Sequence, residues 1–234
     1  MKMLFAGPSI HGLNLKGTQD FVVLPPAACG DLLKAVWDGA TTIGLVDGVF
    51  ASERSVWHKE ILVALSRGVR VLGASSMGAL RAAECDVFGM EGIGQIYADY
   101  RDGRRTADSD VALLHSPQEM DYRPLTLALV DAEATIADLS ACKRITADEA
   151  KVLTQAARAL HFTERTWRRI ADSAGLGAAR IVSEAGSCKV EQKKADALAL
   201  VAAMVGTAPP QPVAAAGWTL SKTHFLAALE DELR

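Results

Sequence analysis

Residues 71–84 read VLGASSMGALRAAE, and the rest of the chain is organised around this stretch. The apolar run from Val69 to Leu72 predicts a buried strand, and strong helix formers follow the two serines. A strand, a tight turn and a helix are therefore expected. Ser75 and Ser76 lie in that turn, beside the unpaired N–H groups of a helix start. Such groups suit a phosphate, a carboxylate or a developing oxyanion, although a serine here is also an ordinary helix N-cap.

Composition limits the class of protein. The chain has 234 residues, half of them apolar, with a net charge of −3 and a pI near 6.0. These values favour neither a nucleic-acid partner nor an anionic membrane. Because there is no secretory leader and no apolar run of about 18 residues, we expect a soluble, cytoplasmic protein. The four cysteines are widely spaced without a C-x-x-C pair, which predicts free thiols and no metal site.

Apolar runs alternate with helical patterns in the first half of the chain. Strands are predicted at Met3–Ala6, Phe21–Leu24, Thr42–Val46 and Val69–Leu72. Helices are predicted at Asp31–Trp37, Val56–Leu65 and Ile93–Tyr100. This alternation indicates right-handed βαβ units, so the predicted fold class is α/β with a mainly parallel sheet flanked by helices.

The second half of the chain has a different pattern. Val111–Leu114 is either one more strand or a short buried piece, and from Pro124 onward only helices are expected. Their predicted positions are Thr126–Leu139, a helix after the capping box at Thr146, a basic helix capped by Thr163, Val190–Val205 and Ser221–Leu233. Ala208–Pro212 reads as a stiff linker. We therefore expect an α/β core at residues 1–123 and an all-helical C-terminal part at residues 124–234, packed on the core because its helices carry apolar faces.

The carboxyl edge of the predicted sheet is the expected binding site, because ligands bind there in open parallel sheets. The loops at that edge bring together Ser9, His11, Asp47, Ser75 and Ser76. The helix that follows Asp47 begins near Val56, so its first turn places His58 and Lys59 at the same edge.

This combination of residue types is typical of nucleophilic catalysis. A serine hydroxyl needs a neighbouring base to take its proton. Lys59 fits that role if desolvation favours its neutral form, and His58 is the rival. Asp47 either orients a base or forms a turn with Gly48. Arg81 and Glu84 lie one helical turn apart and read first as a structural ion pair.

Several long stretches carry a family resemblance. They are GPSIHG from Gly7, LPPAACGDLL from Leu24, IGLVDGVF from Ile43, SVWHKEIL from Ser55, SRGVRVLGASSMGALRAAE from Ser66, FGMEGIGQIYADYRDG from Phe88, YRPL from Tyr122 and QKKADA from Gln192. Together they resemble the TfuA family, whose members are encoded beside YcaO enzymes in peptide thioamidation. The match is dense over roughly the first 140 residues, and the last third of the chain is less diagnostic.

The resemblance implies an accessory enzyme. Its partners would be a YcaO-type enzyme, which activates a peptide amide with ATP, a ThiS-like sulfur-carrier protein and the precursor peptide. The TfuA-like protein would release sulfide by hydrolysing the thiocarboxylated carrier, using a Ser–Lys pair. Ser76 best fits the serine. The lysine is Lys59 of the WHKE match or Lys193 of the QKKADA match, and the shared sheet edge favours Lys59.

The residues agree with this chemistry. Attack on a thiocarboxylate carbon builds an oxyanion, which the N–H groups of Met77 and Gly78 are expected to hold. Arg81, apart from its expected ion pair with Glu84, is also a candidate to bind the negatively charged thiocarboxylate. Glycines after the strands are expected to line a groove for a flexible carrier tail; they are Gly7, Gly12, Gly48 and Gly73.

Two other classes of function stay open. The first is a non-catalytic scaffold that recruits peptide and carrier to a YcaO enzyme. The second is a Rossmann-like nucleotide binder, which the absence of G-x-G-x-x-G and of a Walker lysine motif disfavours. No cofactor is predicted.

Overall fold

The computed structural model describes residues 1–13, 15, 21–50, 53–205 and 217–233. The predicted linker Ala208–Pro212 lies outside these residues. The chain divides into two compact units, one made of Met1–Arg105 with Lys194–Arg234 and the other of Thr106–Lys193. The predicted boundary after residue 123 cuts the chain once, whereas the first unit takes residues from both ends of the chain.

The first unit contains a five-stranded parallel sheet in the order β2-β1-β3-β4-β5. The strands are β1 (Lys2–Phe5), β2 (Phe21–Leu24), β3 (Thr42–Leu45), β4 (Arg70–Ala74) and β5 (Glu91–Ile93). The crossover helices are α1 (Asp31–Trp37), α2 (His58–Ser66) and α3 (Met77–Cys85), and α4 (Gly94–Arg101) follows β5. The predicted α/β class is confirmed. The strand order reverses between β1 and β3, which is where ligands bind in such sheets.

Strand β5 was not predicted; it ends at Ile93, the first residue of the predicted helix Ile93–Tyr100, and α4 covers the rest of that helix. Three residues are too few to show an alternating pattern, and the strand exists because it pairs with Leu72–Ala74 of β4. Gly94 ends it with a φ of +91°, a value that glycine adopts without steric cost. The other segment in doubt, Val111–Leu114, is not a strand, and Val111 and Ala112 are buried.

The alternation of side chains along each strand gives the sheet two apolar faces. Phe5, Ile43, Leu45 and Val71 join a core that also contains buried residues of α1, α2 and α3. Leu4, Val46, Leu72 and Ala74 join a second core with Ala197, Leu200, Val201 and Met204 of helix α9 (Gln192–Val205). A β-carbon on Gly44 would collide with Met204, so this helix packs directly on β3.

Helix α9 runs antiparallel to the strands. Near its end, the Met204 carbonyl accepts a 2.6 Å hydrogen bond from Lys2 Nζ at the start of β1. Near its beginning, the buried Asp196 carboxylate accepts a 2.8 Å bond from the N–H of Ile96 in the first turn of α4. Asp196 therefore lies beyond the carboxyl end of β5. Helix α10 (His224–Glu232), capped by Thr223, closes the unit.

The second unit is built from α5 (Leu129–Ala141), α6 (Ala147–Ala159), α7 (Trp167–Ser173) and α8 (Ala178–Ser187). The capping box at Thr146 is confirmed, since Thr146 and Glu149 exchange side-chain to backbone bonds. The cap predicted at Thr163 is wrong. Thr166 caps α7, while the Thr163 hydroxyl bonds the His161 ring instead. Helix α8 was not predicted.

Glu60 joins the starts of two helices in the first unit. It is completely buried, and its carboxylate accepts hydrogen bonds from the N–H groups of Gly30 at 2.8 Å and Trp57 at 3.0 Å. Burial raises the pKa of Glu60 above its ordinary value near 4.5, and the N–H groups of Trp57, Gly30 and Leu32 offset only part of that rise. Burial thus raises the free energy of the charged carboxylate. Glu60 is nevertheless placed there because its oxygens accept hydrogen bonds from unpaired N–H groups at the starts of two helices.

We expect Glu60→Gln to destabilise the protein by about 1–3 kcal/mol near neutral pH, because the amide NH₂ leaves a buried N–H without an acceptor. Since the folded pKa is raised, the titration of Glu60 contributes stability that is full below about 4.5 and lost as pH rises through the folded pKa. Urea unfolding measured from below pH 4.5 to above neutral pH should show that the difference in unfolding free energy between wild type and Glu60→Gln becomes smaller as the pH rises. Glu232→Gln, at an exposed ion pair with Arg54, is the control. An advantage that grows with pH contradicts the assignment.

Candidate functional site

The loops that leave β1 and β3 meet at the carboxyl edge of the sheet. After β1, residues Pro8–Ile10 form one turn of 3-10 helix. Asp47, which is 2 % exposed, accepts bonds at Oδ2 from the N–H groups of Gly7 at 2.9 Å and Ser9 at 3.0 Å. Its Oδ1 accepts a 2.7 Å bond from the Ser9 hydroxyl. Asp47 thus holds the first loop through both backbone and side chain.

Ser75 extends this cluster to β4. Its hydroxyl donates a 3.0 Å hydrogen bond to Ser9 Oγ, and the residue is 0 % exposed. Its φ is +69°, and the N–H of Ser76 donates to the carbonyl of Ala74 at 2.8 Å. A three-residue turn with these properties is a classic γ-turn, which is rare and strained. Ser75 is therefore fixed inside the protein and unavailable as a nucleophile.

Ser76 presents its hydroxyl differently. It occupies the N-cap position of α3, yet its side chain makes no capping bond. Within the described residues its Oγ has no hydrogen-bond partner at all, and the residue is 9 % exposed. The N–H of Met77, the first residue of the helix, is likewise unbonded within that part of the chain. An unused hydroxyl thus sits next to an unused donor that suits an oxyanion at a helix start. A nucleophilic serine also needs a base within reach, and no base bonds Ser76 in the described residues.

Gly78 does not fill the role predicted for it. Its N–H donates to the carbonyl of Val46 at 3.1 Å, so it is not available to an oxyanion. A β-carbon on Gly78 would collide with the Leu45 carbonyl, which explains why a glycine is needed there. Of the glycines predicted to line a groove, Gly73 is buried with Gly78 and Met90 packed against it, whereas Gly48 is partly exposed beside Met77.

Arg81, Glu84 and His58 form one surface network between α2 and α3. Arg81 Nη1 and His58 Nε2 both lie 2.7 Å from Glu84 Oε2, and Arg81 Nε donates to the carbonyl of Val56 at 2.9 Å. Burial alone would raise the pKa of Glu84, but the bonds from His58 and Arg81 outweigh it and lower the pKa. The predicted Arg81–Glu84 ion pair is confirmed. His58 Nε2 is thereby held by the Glu84 carboxylate, and no hydrogen bond joins His58 to Ser76 in the described residues.

The two candidate lysines have different surroundings. Lys59 Nζ donates a 3.2 Å bond to the carbonyl of Ser221 and makes no hydrogen bond to Ser76 in the described part of the chain. Lys193, in the second unit, is 3 % exposed. Its Nζ donates to the carbonyl of Val111 at 2.7 Å, and its N–H donates to Asp131 at 2.9 Å. Burial raises the pKa of Asp131, and the Lys193 N–H and charge offset only part of that rise.

His11 and Asp196 are two further polar residues at this edge of the sheet. His11 ends the 3-10 turn, where its backbone N–H donates to Pro8. Asp196 was not among the predicted site residues, and no local pattern marks it, because its position depends on the packing of α9. The described residues contain no group of three or more His, Cys, Asp or Glu that could hold a metal ion.

No helix in the described ranges combines the length and the apolar character needed to cross a membrane.

The comparison with known protein families agrees with the resemblance. The family model for TfuA-like protein matches residues 47–166, which is just over half of the 234 residues. The matched segment includes Asp47, Lys59 and the serine turn, and it ends before Lys193. No curated protein matches the chain. The chain belongs to the TfuA-like family.

Proposed function

We propose that this protein hydrolyses the thiocarboxylate of a ThiS-type sulfur-carrier protein and so supplies sulfide to a YcaO enzyme that thioamidates a precursor peptide. The observation that carries the proposal is the unbonded hydroxyl of Ser76 beside the unbonded N–H of Met77 at the start of α3. Membership of the TfuA-like family supplies the biochemical context.

In the proposed reaction, Ser76 Oγ attacks the thiocarboxylate carbon while a lysine takes the hydroxyl proton. The tetrahedral intermediate then collapses, its carbon–sulfur bond breaks, and the proton leaves with the sulfur as hydrosulfide (HS⁻). The carrier remains as an ester on Ser76. Water hydrolyses that ester, which restores the serine and leaves an ordinary carboxylate on the carrier. One water is consumed, and neither an oxidant nor a reductant is needed.

Two backbone donors suit the oxyanion of this intermediate. The first is the N–H of Met77. The second is the N–H of Gly48, in the loop after the neighbouring strand. The N–H of Ala27 donates to the Asp47 carbonyl and the N–H of Val49 donates to the Ala27 carbonyl, at 3.0 Å each. Gly48 lies between these two bonds, so its own N–H is directed away from Ala27 and is unbonded within the described residues. One donor after the serine and one from a neighbouring strand loop is a known design for an oxyanion hole.

A purified carrier with a C-terminal thiocarboxylate tests the proposal. We expect the protein to convert it to the carboxylate, seen as replacement of sulfur by oxygen in the intact mass, with sulfide released in equal amount. Co-purification with a YcaO protein expressed together with this chain tests the partner in the same preparation. A carrier that keeps its sulfur in the presence of folded protein overturns the hydrolase.

The scaffold alternative has one observation in its favour, namely that Lys59 Nζ bonds the Ser221 carbonyl rather than Ser76. A scaffold would bind the YcaO protein and the carrier while leaving the thiocarboxylate intact. The same experiment therefore separates the two functions.

A further inference from the structure

We propose that Asp47, acting through Ser9 and Ser75, is a positioning residue that fixes the turn carrying Ser76. This inference rests on the proposed hydrolysis, because it assigns the geometry of that reaction to residues that do not touch the substrate. The chain of bonds runs from β4 through the loop after β1 to the loop after β3, so it ties together three neighbouring strand ends.

Two properties distinguish this series of hydrogen bonds from an ordinary surface network, namely its donor-to-acceptor order and its burial. Ser75 Oγ donates to Ser9 Oγ at 3.0 Å, and Ser9 Oγ donates to Asp47 Oδ1 at 2.7 Å. All three residues are buried. The carboxylate can only accept while it is ionised, so it orients the Ser9 hydroxyl, and that hydroxyl in turn orients Ser75. Its other oxygen fixes the backbone of Gly7 and Ser9.

The γ-turn needs such a restraint. Ser75 has a φ of +69°, a region that a residue with a β-carbon enters only at a cost. Its hydroxyl makes one hydrogen bond in the described residues, the one to Ser9. Because Ser75 directly precedes Ser76, a change in its φ and ψ redirects both the Ser76 hydroxyl and the Met77 N–H. The bond from Ser75 to Ser9 therefore determines the orientation of the Ser76 hydroxyl, the proposed nucleophile.

The series of hydrogen bonds from Ser75 through Ser9 to Asp47 is not a proton relay to the nucleophile. It ends at Ser75, and the Ser76 hydroxyl is not part of it. Asp47 therefore acts on geometry, and a neutral side chain of the same shape should largely replace it. Asparagine can keep its amide oxygen toward the two N–H groups and donate from its NH₂ to Ser9 Oγ, which still accepts the bond from Ser75 Oγ.

Five variants test the positioning role, with sulfide release read as kcat and KM across pH. We expect Ser9→Ala, Ser75→Ala and Asp47→Ala each to lower kcat by about 10–100-fold with an unchanged KM, the scale of a displaced reacting group. Asp47→Asn should stay within about threefold of wild type, and the shape of the pH profile should not change in any variant. Ser75→Gly should have a higher melting temperature than Ser75→Ala, because glycine adopts the positive φ without strain. Its rate of hydrolysis should be no higher, because glycine has no hydroxyl to bond Ser9 and fix the turn.

A serine-reactive fluorophosphonate gives a second readout that needs no carrier. It should label Ser76 in wild type and more slowly in Ser9→Ala. Ser116→Ala, which removes an equally buried hydroxyl in the second unit, is the matched control for folding and rate. Folded Ser9→Ala and Ser75→Ala proteins with wild-type kcat and labelling overturn the positioning role, as does a loss confined to KM. If wild type labels at Ser76 but releases no sulfide, the hydrolysis fails while the variant labelling still decides the positioning role.

Discussion

Ser76→Ala lowers thiocarboxylate hydrolysis by about two to four powers of ten, the scale expected when a nucleophile is removed. The Ser76 hydroxyl makes no hydrogen bond in the described residues, and alanine fits the N-cap position without a clash. We therefore expect the free energy of unfolding to change by no more than about 1 kcal/mol, so the loss of rate is chemical. Sulfide release in a single turnover measures the rate, and urea unfolding checks the fold.

Wild type should also accumulate an ester between the carrier and Ser76 when the reaction is quenched with acid, and Ser76→Ala should not. Ser116→Ala, with its buried hydroxyl bonded to the Met120 carbonyl, should keep the wild-type rate. Ser75→Ala should lose less activity than Ser76→Ala and should still form the ester. An active Ser76→Ala protein together with an inactive Ser75→Ala protein would show that the other serine is the nucleophile.

Much of the first unit follows from local patterns in the sequence. Strand Phe21–Leu24 and helix Asp31–Trp37 have the predicted bounds. Short apolar runs with β-branched residues and a helical stripe after a glycine are strong local signals, and the parallel order of strands follows from their alternation with helices. That order alone brings Ser9, Asp47 and the serine turn to one edge. The sequence therefore placed the candidate residues at one edge of the sheet before any distance was known.

The details that decide the chemistry depend on register between distant segments. Asp47 and Ser9 are 38 residues apart, and Lys59 and Ser221 are 162 apart. No local pattern reports such bonds. The positive φ of Ser75 gives no signal either, because glycine is the residue expected in that conformation. Gly78 was a reasonable donor by sequence, and only the closeness of β3 shows that its N–H is already used.

The two lysines show the same limit. The position of Lys59 at the first turn of α2 was predicted correctly, but its side chain reaches a carbonyl near the C-terminus of the chain. Helix α9 was predicted from its apolar face, yet the burial of Lys193 on that helix could not be read from the pattern. A face rich in alanine and leucine does not reveal which polar residues it buries with it.

Lysine-to-methionine substitution at the base should reduce hydrolysis nearly as far as Ser76→Ala, by about two to four powers of ten. Methionine keeps most of the aliphatic stem and removes the proton acceptor. A lysine serves as a base only where its surroundings favour the neutral amine, and burial is the usual cause. Lys193 is 3 % exposed, whereas Lys59 is only partly buried and already donates to Ser221. Lys59 lies within the matched family segment and Lys193 outside it, so both variants are needed.

The experiment compares Lys59→Met, Lys193→Met and the exposed control Lys34→Met, each alone and combined with Ser76→Ala. If a lysine and Ser76 act as one unit, the double variant is little slower than either single one, whereas independent residues give losses that multiply. In wild type the rate should rise with pH as the base loses its proton, and the variant that lacks the base should lose that rise. Lys193→Met also leaves the Val111 carbonyl without its Nζ donor, so the unfolding of this variant must be measured beside its rate. A normal Lys59→Met protein with an inactive, folded Lys193→Met protein assigns the base to Lys193. Two active proteins would remove the Ser–Lys pair altogether.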